Sequence, residues 1–326
     1  MKFIIMGSGE SGSGAIFDYL KSRPDIINPL NKEFRLVQDP GGLVDLHSSI
    51  VFGFHVNRAS NAIKRFKKLC EQCGRSNSGV YRRRFTYKYG LNYASYIENY
   101  FNKVDKFIER ITHVSYPGMP SCERLDLNKL ETLKYDYKLT KAKKINTKPE
   151  VGNMILPVQE KIFLKETELF LDELFSVNRN SQNKHVIVDQ GGSLWAPLST
   201  TKYYGERKAV VVTRDPRDIF SEFQYYGQAY PGSDVEIFCN WYAGAFSNIN
   251  KTEWDNDIVM HIRFEDFIRN FDVEVKKVNN HLNLSENVSY KFNPDNSKKN
   301  IGKFKKVLRL EDVKYIEKKL ENYLHF

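Results

Sequence analysis

Two stretches of the chain carry residue types whose spacing could do chemistry on an anion. The first is Gly7-Ser8-Gly9-Glu10-Ser11-Gly12-Ser13-Gly14, which follows the apolar run Phe3-Ile4-Ile5-Met6 and leads into a helical pattern over residues 15–20. Glycines let backbone N–H groups approach an anion closely, and a helix start adds unpaired donors and about half a positive charge. The pattern is that of a phosphate cradle; a Gly-rich turn without a ligand is the plain alternative. Against the nucleotide-hydrolase pattern GxxxxGK[ST], Gly7 and Gly12 fit, but Ser13 stands where lysine must be. That argues against an ATP or GTP hydrolase and leaves a nucleoside kinase as the weaker alternative.

The second stretch is Ala209-Val210-Val211-Val212-Thr213-Arg214-Asp215-Pro216-Arg217-Asp218, a strand, a sharp turn and a helix start. Pro216 suits the first turn of a helix and Asp218 its positive end. Arg214 leaves the strand, where its planar fork could take a phosphate bidentately or form a structural salt bridge.

Positioning these residues requires a scaffold, and the apolar runs supply one. Residues 3–6, 186–188, 209–212 and 258–262 are rich in Val and Ile and continuously hydrophobic, as strands buried on both faces are. Helical patterns lie between them, so the expected class is α/β, a central parallel sheet flanked by helices. Each run ends in polar residues: the Gly/Ser loop, Asp189-Gln190-Gly191-Gly192, Arg214-Asp215, and Arg263 with Glu265. Ligands of open α/β sheets bind at the carboxyl ends of the strands, so four polar exits predict one shared site.

Residues 55–184 read differently. They are basic, Tyr-rich and mostly helical in pattern, with Tyr116-Pro117-Gly118-Met119-Pro120 as a breaker and a lysine-rich polar loop over 138–148. The expectation is one domain over 1–326, with 55–184 inserted to shape an acceptor pocket. Residues 310–320 read as a closing amphipathic helix.

Composition limits the partners. The 326 residues carry a formal net charge of +10, which favours an anionic partner without choosing among nucleotide, glycan, membrane or nucleic acid. Basic clusters at Lys64-Arg65-Phe66-Lys67-Lys68, at Arg82-Arg83-Arg84 and over 298–309 read first as solvated surface. No apolar run approaches the roughly 18 residues of a membrane span. Met1-Lys2 lead straight into the first strand, so no secretory leader is expected and the expected location is cytoplasmic. Four cysteines are too few for a disulfide framework, and Cys70-Glu71-Gln72-Cys73 has no second pair at zinc spacing. A reduced structural pair is expected there, and no metal.

The Arg-Asp-Pro-Arg-Asp turn after a valine strand resembles the 3′-phosphate motif of the sulfotransferase family, and the Gly/Ser loop resembles that family's 5′-phosphosulfate loop. Asp189 after its strand, Ile262-Arg263-Phe264-Glu265-Asp266-Phe267, and Asn300-Ile301-Gly302-Lys303-Phe304-Lys305-Lys306 resemble three further motifs, in the family's order. The resemblance implies a P-loop-like sulfotransferase fold, the donor 3′-phosphoadenosine 5′-phosphosulfate, and sulfuryl transfer to a hydroxyl or amine of a carbohydrate, lipid-linked glycan or small molecule. Nucleic acid is not the implied partner. By the same resemblance Gly9, Ser11, Gly12, Ser13 and Gly14 would cradle the 5′ end, and Arg214, Ser221 and Lys298, with Gly302 and Lys303 in the same loop, would hold the 3′-phosphate end.

The chain also departs from that pattern. Glu10 occupies the place of a cation that stabilises the leaving group, so Lys32 or Lys303 would have to substitute. Glu222 stands where the family has its phosphate-binding serine, eight residues after the arginine, with Ser221 one place earlier. A catalytic base is expected after the Arg23-Pro24-Asp25-Ile26 turn, and Glu33 leads, with His55 and His47 behind it. The alternative that these departures raise is a protein of the same fold that binds a nucleotide or polyanion without catalysis.

Overall fold

The computed structural model of the chain describes residues 1–76, 90–118, 128–144, 152–176, 185–226, 231–247, 249 and 254–326. The chain divides into two compact units, residues 1–34 with 179–326 and residues 35–178. Among the described residues the strands are β1 (Lys2–Gly7), β2 (Ile26–Ile27), β3 (Thr112–Gly118), β4 (Gly152–Pro157), β5 (His185–Asp189), β6 (Arg207–Thr213) and β7 (Val259–Arg263).

The first unit is an α/β layer structure around a five-stranded sheet of order β2-β5-β1-β6-β7, every neighbouring pair parallel. Sequence legibility follows from burial. Phe3, Ile4, Ile5 and Met6 of β1 and Ala209, Val210, Val211 and Val212 of β6 are all fully buried, so both faces of each strand must be apolar and no alternation survives. Phe3, Ile5, Val210, Val212 and Ile262 form one core cluster with Ile16, Tyr19 and Leu20 of the helix Ser13–Lys21 and with Phe267, Val275 and Val278 further along the chain. β2 is only two residues long, too short for any periodicity to betray, and is held by pairing Ile26 with His185 and Ile27 with Val186 at the sheet edge.

Register sets the strand exits level with one another. Gly7 lies opposite Val212, Val212 opposite Ile262, and Thr213 opposite Arg263. The Gly/Ser loop, Arg214 and Phe264 therefore leave the sheet side by side. On the other flank Ile5 pairs with Asp189, and Glu33 forms an isolated parallel bridge to Asp189.

In the Arg23-Pro24-Asp25 turn only the arginine is buried. Arg23 donates through Nε and Nη2 to the Asp25 carboxylate at 3.0 and 2.8 Å and through Nη2 to the Ser285 carbonyl at 3.0 Å. Such a fully partnered buried guanidinium has structural work and no spare donors for a ligand.

The second unit is mostly helical among its described residues, but it also holds a strand pair that the sequence reading does not contain. β3 and β4 pair antiparallel, with Tyr116 opposite Met154 and Pro117 opposite Asn153. Tyr116, Pro117 and Gly118 thus end a strand, while Met119 and Pro120 lie outside the described residues. Proline is tolerated because both members of a two-stranded sheet are edge strands. The lysine-rich stretch from 138 is also not a loop at its start, since the helix Lys129–Lys144 runs through it. Lysine is a good helix former, and a polar exposed helix lacks the apolar stripe that would have announced it. Arg82-Arg83-Arg84 lies outside the described residues.

Cys70 and Cys73 sit on the helix Val56–Gly74, both fully buried, and the Tyr100 hydroxyl donates to the Cys70 carbonyl at 2.9 Å. Burial pushes the Cys70 thiol well above its ordinary value and the Cys73 thiol up to about 12. Thiolate is the reactive form, so both cysteines should be inert in the folded protein. Iodoacetamide at pH 8 is expected to spare Cys70 and Cys73 in native protein and to label both after denaturation, read by peptide mass spectrometry. Native labelling at rates close to those of free cysteine would contradict the burial.

Candidate nucleotide site

The loop after β1 is shaped by two left-handed residues. Glu10 has φ +60° and Gly12 has φ +78°. A non-glycine residue there is held at a cost of about 1 kcal/mol or more, which the surrounding loop must offset. Ser11 N–H donates to the Ser8 carbonyl at 3.1 Å, and Ala15 N–H donates to the Gly12 carbonyl at 3.0 Å. The Ser11 amide is therefore spent inside the turn, a correction to its expected place among the phosphate donors. The amides of Gly12, Ser13 and Gly14, which open the helix, have no acceptor among the described residues. Three open donors at the positive end of a helix dipole are the kind of arrangement that holds an anion.

Neighbours fix the cradle. A Cβ on Gly12 would lie 2.4 Å from the Phe264 ring, so the ring from the β7 exit is the floor of the loop. Gln190, itself at φ +51°, donates through Nε2 to Ser13 Oγ at 3.1 Å, and its Oε1 accepts from Gly7 N–H at 3.4 Å. This brace was not foreseen from the sequence; its only signal is a polar residue ahead of Gly191-Gly192 at a strand end. Ser11 is buried, and its Oγ has no hydrogen-bond partner.

Arg214 stands beside this loop and is 3% exposed, too buried to be an ordinary surface arginine. It donates through Nη1 to the Glu10 carbonyl at 3.0 Å and through Nη2 to the Asn300 carbonyl at 2.6 Å. The same Nη2 lies 3.5 Å from Glu222 Oε1, and the guanidinium sits 5.4 Å over the Phe264 ring. Arg214 Nε has no partner. Lys303 Nζ donates to Glu222 Oε2 at 2.8 Å, so the Glu222 carboxylate lies between two cations from different elements. Burial and the Glu222 charge push the Glu10 carboxyl upward, against the opposing pull of Arg214 and Lys303.

The rest of the Arg-Asp-Pro-Arg-Asp turn is architectural. Asp215 and Arg217 form a buried ion pair at 2.9 Å, Asp215 N–H donates to Glu265 Oε1 at 2.9 Å, and His325 N–H donates to Asp215 Oδ2 at 3.0 Å. Arg217 also pairs with Glu317 at 2.7 Å and lies 4.5 Å over the Phe304 ring. Asp218 accepts from the amides of Gly302 and Phe304 at 2.7 and 3.0 Å. One short turn thereby holds the β7 exit, the C-terminal helix Leu310–Lys319 and the loop that carries Lys303.

The structure distributes the expected site residues unevenly. Arg214, Glu10, Ser11, Gly12, Ser13, Gly14 and Lys303 come together, and Gly9 is part of the same turn. Gly302, at φ +74°, gives its amide to Asp218 and serves loop shape rather than a ligand. Ser221 is buried with its hydroxyl donating to the Asp218 carbonyl at 2.7 Å, because a helical serine bonds back to its own preceding turn. Lys298 is exposed and paired with Asp295 at 2.6 Å, whereas Lys303 pairs with Glu222 beside Arg214. Glu33 is exposed at the β5 exit. In the second unit His55 caps the helix Val56–Gly74, its Nδ1 accepting from Asn57 N–H at 3.3 Å, and lines a polar cavity of about 580 Å³. His47 is buried against Phe163 and pairs with Glu160 at 3.0 Å, a core histidine.

Against 3′-phosphoadenosine 5′-phosphosulfate the residues give two answers. The 5′ end fits: open amides, an unpartnered buried hydroxyl, and a loop whose glycine cannot be filled. The 3′-phosphate does not fit, because a buried carboxylate already occupies the arginine that would bind it.

No family model matches the sequence, and no curated protein matches it. Among solved structures the chain is similar to a sulfotransferase domain from the curacin biosynthetic pathway, at 13% identity and TM-score 0.42 over 98% of this chain and 97% of that one. It is also similar to the sulfotransferase STF1 of Mycobacterium tuberculosis H37Rv, at 12% identity and TM-score 0.38 over 93% of this chain and 76% of that one.

The two loop glycines make an internal control. Gly12→Ala adds a methyl group 2.4 Å from an aromatic ring at a left-handed φ, whereas nothing lies within 4 Å of a Cβ on Gly14. Gly12→Ala should destabilise the protein by about 2 kcal/mol or more, while Gly14→Ala should stay within about 0.5 kcal/mol of the parent. Urea denaturation of both variants checks this, and equal effects would refute the described loop.

Proposed function

We propose that the chain is a sulfotransferase that binds a nucleotide 5′-phosphosulfate on the loop after β1 and moves its sulfuryl group to a hydroxyl-bearing acceptor. The observation that carries this reading is the row of open amides from Gly12 to Gly14 at the carboxyl end of a parallel sheet, beside a buried arginine with an unpartnered Nε. The ordered resemblance of five sequence motifs to sulfotransferases supports the choice of sulfuryl over other groups. The Walker lysine is absent, which weighs against a phosphotransferase.

In this reading the loop amides and the helix dipole hold the 5′-phosphate oxygens. Hydrogen bonds to a charged group are worth about 1.5–3 kcal/mol each, so three give firm retention. Transfer breaks the bond between sulfur and the bridging phosphate oxygen and forms a bond between sulfur and the acceptor oxygen. Charge develops on the bridging oxygen, and donors already aimed at it lower the barrier without reorganisation. Lys303 is proposed as that cation, since with Arg214 it acts on the Glu10 carboxyl in the loop. The acceptor proton passes to a base. Glu33 is proposed for that role because its bridge to Asp189 fixes it at the same row of strand exits. The nucleotide is released with the charge of the broken bond on its 5′-phosphate.

A second reading, nucleotide binding without transfer, is favoured by Glu10, whose carboxyl stands where the family resemblance calls for a cation.

Calorimetry with adenosine nucleotides and assays with radiolabelled donors over a panel of hydroxyl acceptors test the proposal. Arg214→Ala should weaken nucleotide binding at least tenfold. Glu33→Gln should lower turnover by about 10²- to 10⁴-fold while leaving nucleotide affinity unchanged, as expected for a general base. Firm binding with no turnover on any acceptor would select the second reading, and absence of nucleotide binding would overturn both.

A further inference from the structure

The strongest unexplained feature of the first unit is a carboxylate in the wrong place for phosphate. Glu222 is 7% exposed, lies eight residues after Arg214, and is held between Arg214 Nη2 at 3.5 Å and Lys303 Nζ at 2.8 Å. Two cations converging from the β6 exit and the C-terminal loop are what a phosphate group needs. Here the chain supplies the anion itself.

The electrostatics oppose a second anion. Glu222 lies against both Arg214 and Lys303 and offsets part of their charge, which weakens the corner's attraction for a phosphate carrying nearly two negative charges. Arg214 is further committed to the Glu10 and Asn300 carbonyls. A phosphate could enter only by displacing a buried carboxylate from both partners and leaving it uncompensated, which is heavily disfavoured.

A hydroxyl meets none of these obstacles. An ionised carboxylate has about four acceptor positions on its two oxygens, and the two cations claim only part of them. The same chemical choice separates dinucleotide sites, where an acidic residue accepts from a ribose hydroxyl and an arginine instead receives a ribose phosphate. A carboxylate that fills the arginine site therefore reads as selection for the unphosphorylated sugar.

We infer that Glu222 is a built-in substitute for the 3′-phosphate, and that the ligand of this site is a nucleoside 5′-phosphosulfate whose ribose 3′-hydroxyl is free. This rests on the nucleotide site proposed above and changes the class of donor it takes. Glu222 accepts from the ribose hydroxyl, while Lys303 and Arg214 hold the carboxylate in place. The chain would then draw its donor from the reaction class in which sulfate attacks the α-phosphate of a nucleoside triphosphate and displaces diphosphate, without a later phosphorylation of the sugar.

The test compares adenosine 5′-phosphate with 3′-phosphoadenosine 5′-phosphate by calorimetry, on the parent protein and on Glu222→Ser and Glu222→Gln. The parent should bind adenosine 5′-phosphate at least tenfold more tightly. Both variants should shift the preference toward the 3′-phosphorylated nucleotide by at least tenfold. Glu222→Gln keeps the shape of the side chain and removes only its charge, so it serves if the serine variant fails to fold, and the parent's preference needs neither. Tighter binding of the 3′-phosphorylated nucleotide by the parent, or a preference unmoved in a folded variant, overturns the inference and leaves the nucleotide site standing. Failure of both nucleotides to bind parent and variants alike removes the nucleotide site, and the inference with it.

Discussion

The guanidinium of Arg214 is the constraint on which the carboxyl end of the sheet depends. Its Nη1 fixes the carbonyl of Glu10 in the loop after β1, its Nη2 fixes the carbonyl of Asn300 in the C-terminal loop, and its face covers the Phe264 ring from the β7 exit. Three segments distant in sequence are thereby joined at one buried charge. Such a charge is tolerated only with partners close on several sides, which explains why both carbonyls and the Glu222 carboxylate turn toward it. Shape of the loop and charge of the pocket are consequently set together, and neither can change alone.

The adjoining residues divide that work. Asp215, Arg217 and Glu265, with His325, close a second buried network one turn away, and Asp218 ties down the loop through the amides of Gly302 and Phe304. The Arg-Asp-Pro-Arg-Asp turn is thus one arginine that joins the strand exits, followed by a clamp. A strand-end arginine could have been either a phosphate ligand or a structural salt bridge, and Arg214 has features of both: it bonds two carbonyls and a carboxylate while its Nε is left without a partner.

Burial decided what the sequence could disclose. Strands with both faces in the core, such as β1 and β6, write continuous apolar runs, and their boundaries were legible to within a residue or two. The level strand exits were legible too, because each polar segment follows its strand at once. β2 left no trace because two residues have no period, and β3 and β4 were hidden among tyrosines and prolines that read as breakers. At the site, residue types were legible but pairings were not. Lys298 and Lys303 are equally basic in sequence, and only the fold sends one to Asp295 and the other to Glu222. Ser221 offered a hydroxyl at nearly the right spacing, yet helix geometry turned it to the Asp218 carbonyl.

Unsatisfied polar groups sharpen the distinction between a structural corner and a binding one. A buried donor or acceptor without a partner costs about 1–3 kcal/mol, so a fold keeps few of them. Among the described residues five side-chain atoms stand in this position: Ser11 Oγ, Arg110 Nε, Glu166 Oε2, His185 Nδ1 and Arg214 Nε. Arg110 Nε and Glu166 Oε2 lie 2.8 Å apart as an ion pair and so compensate each other. The His185 ring is half-buried and stacks on Phe3 at 4.8 Å at the start of β5, away from the strand exits. Ser11 Oγ and Arg214 Nε have no such compensation, and they flank the same loop. The cost of leaving both without partners falls on this loop. The polar capacity left open there is small, made of a hydroxyl, one guanidinium N–H and the helix-opening amides.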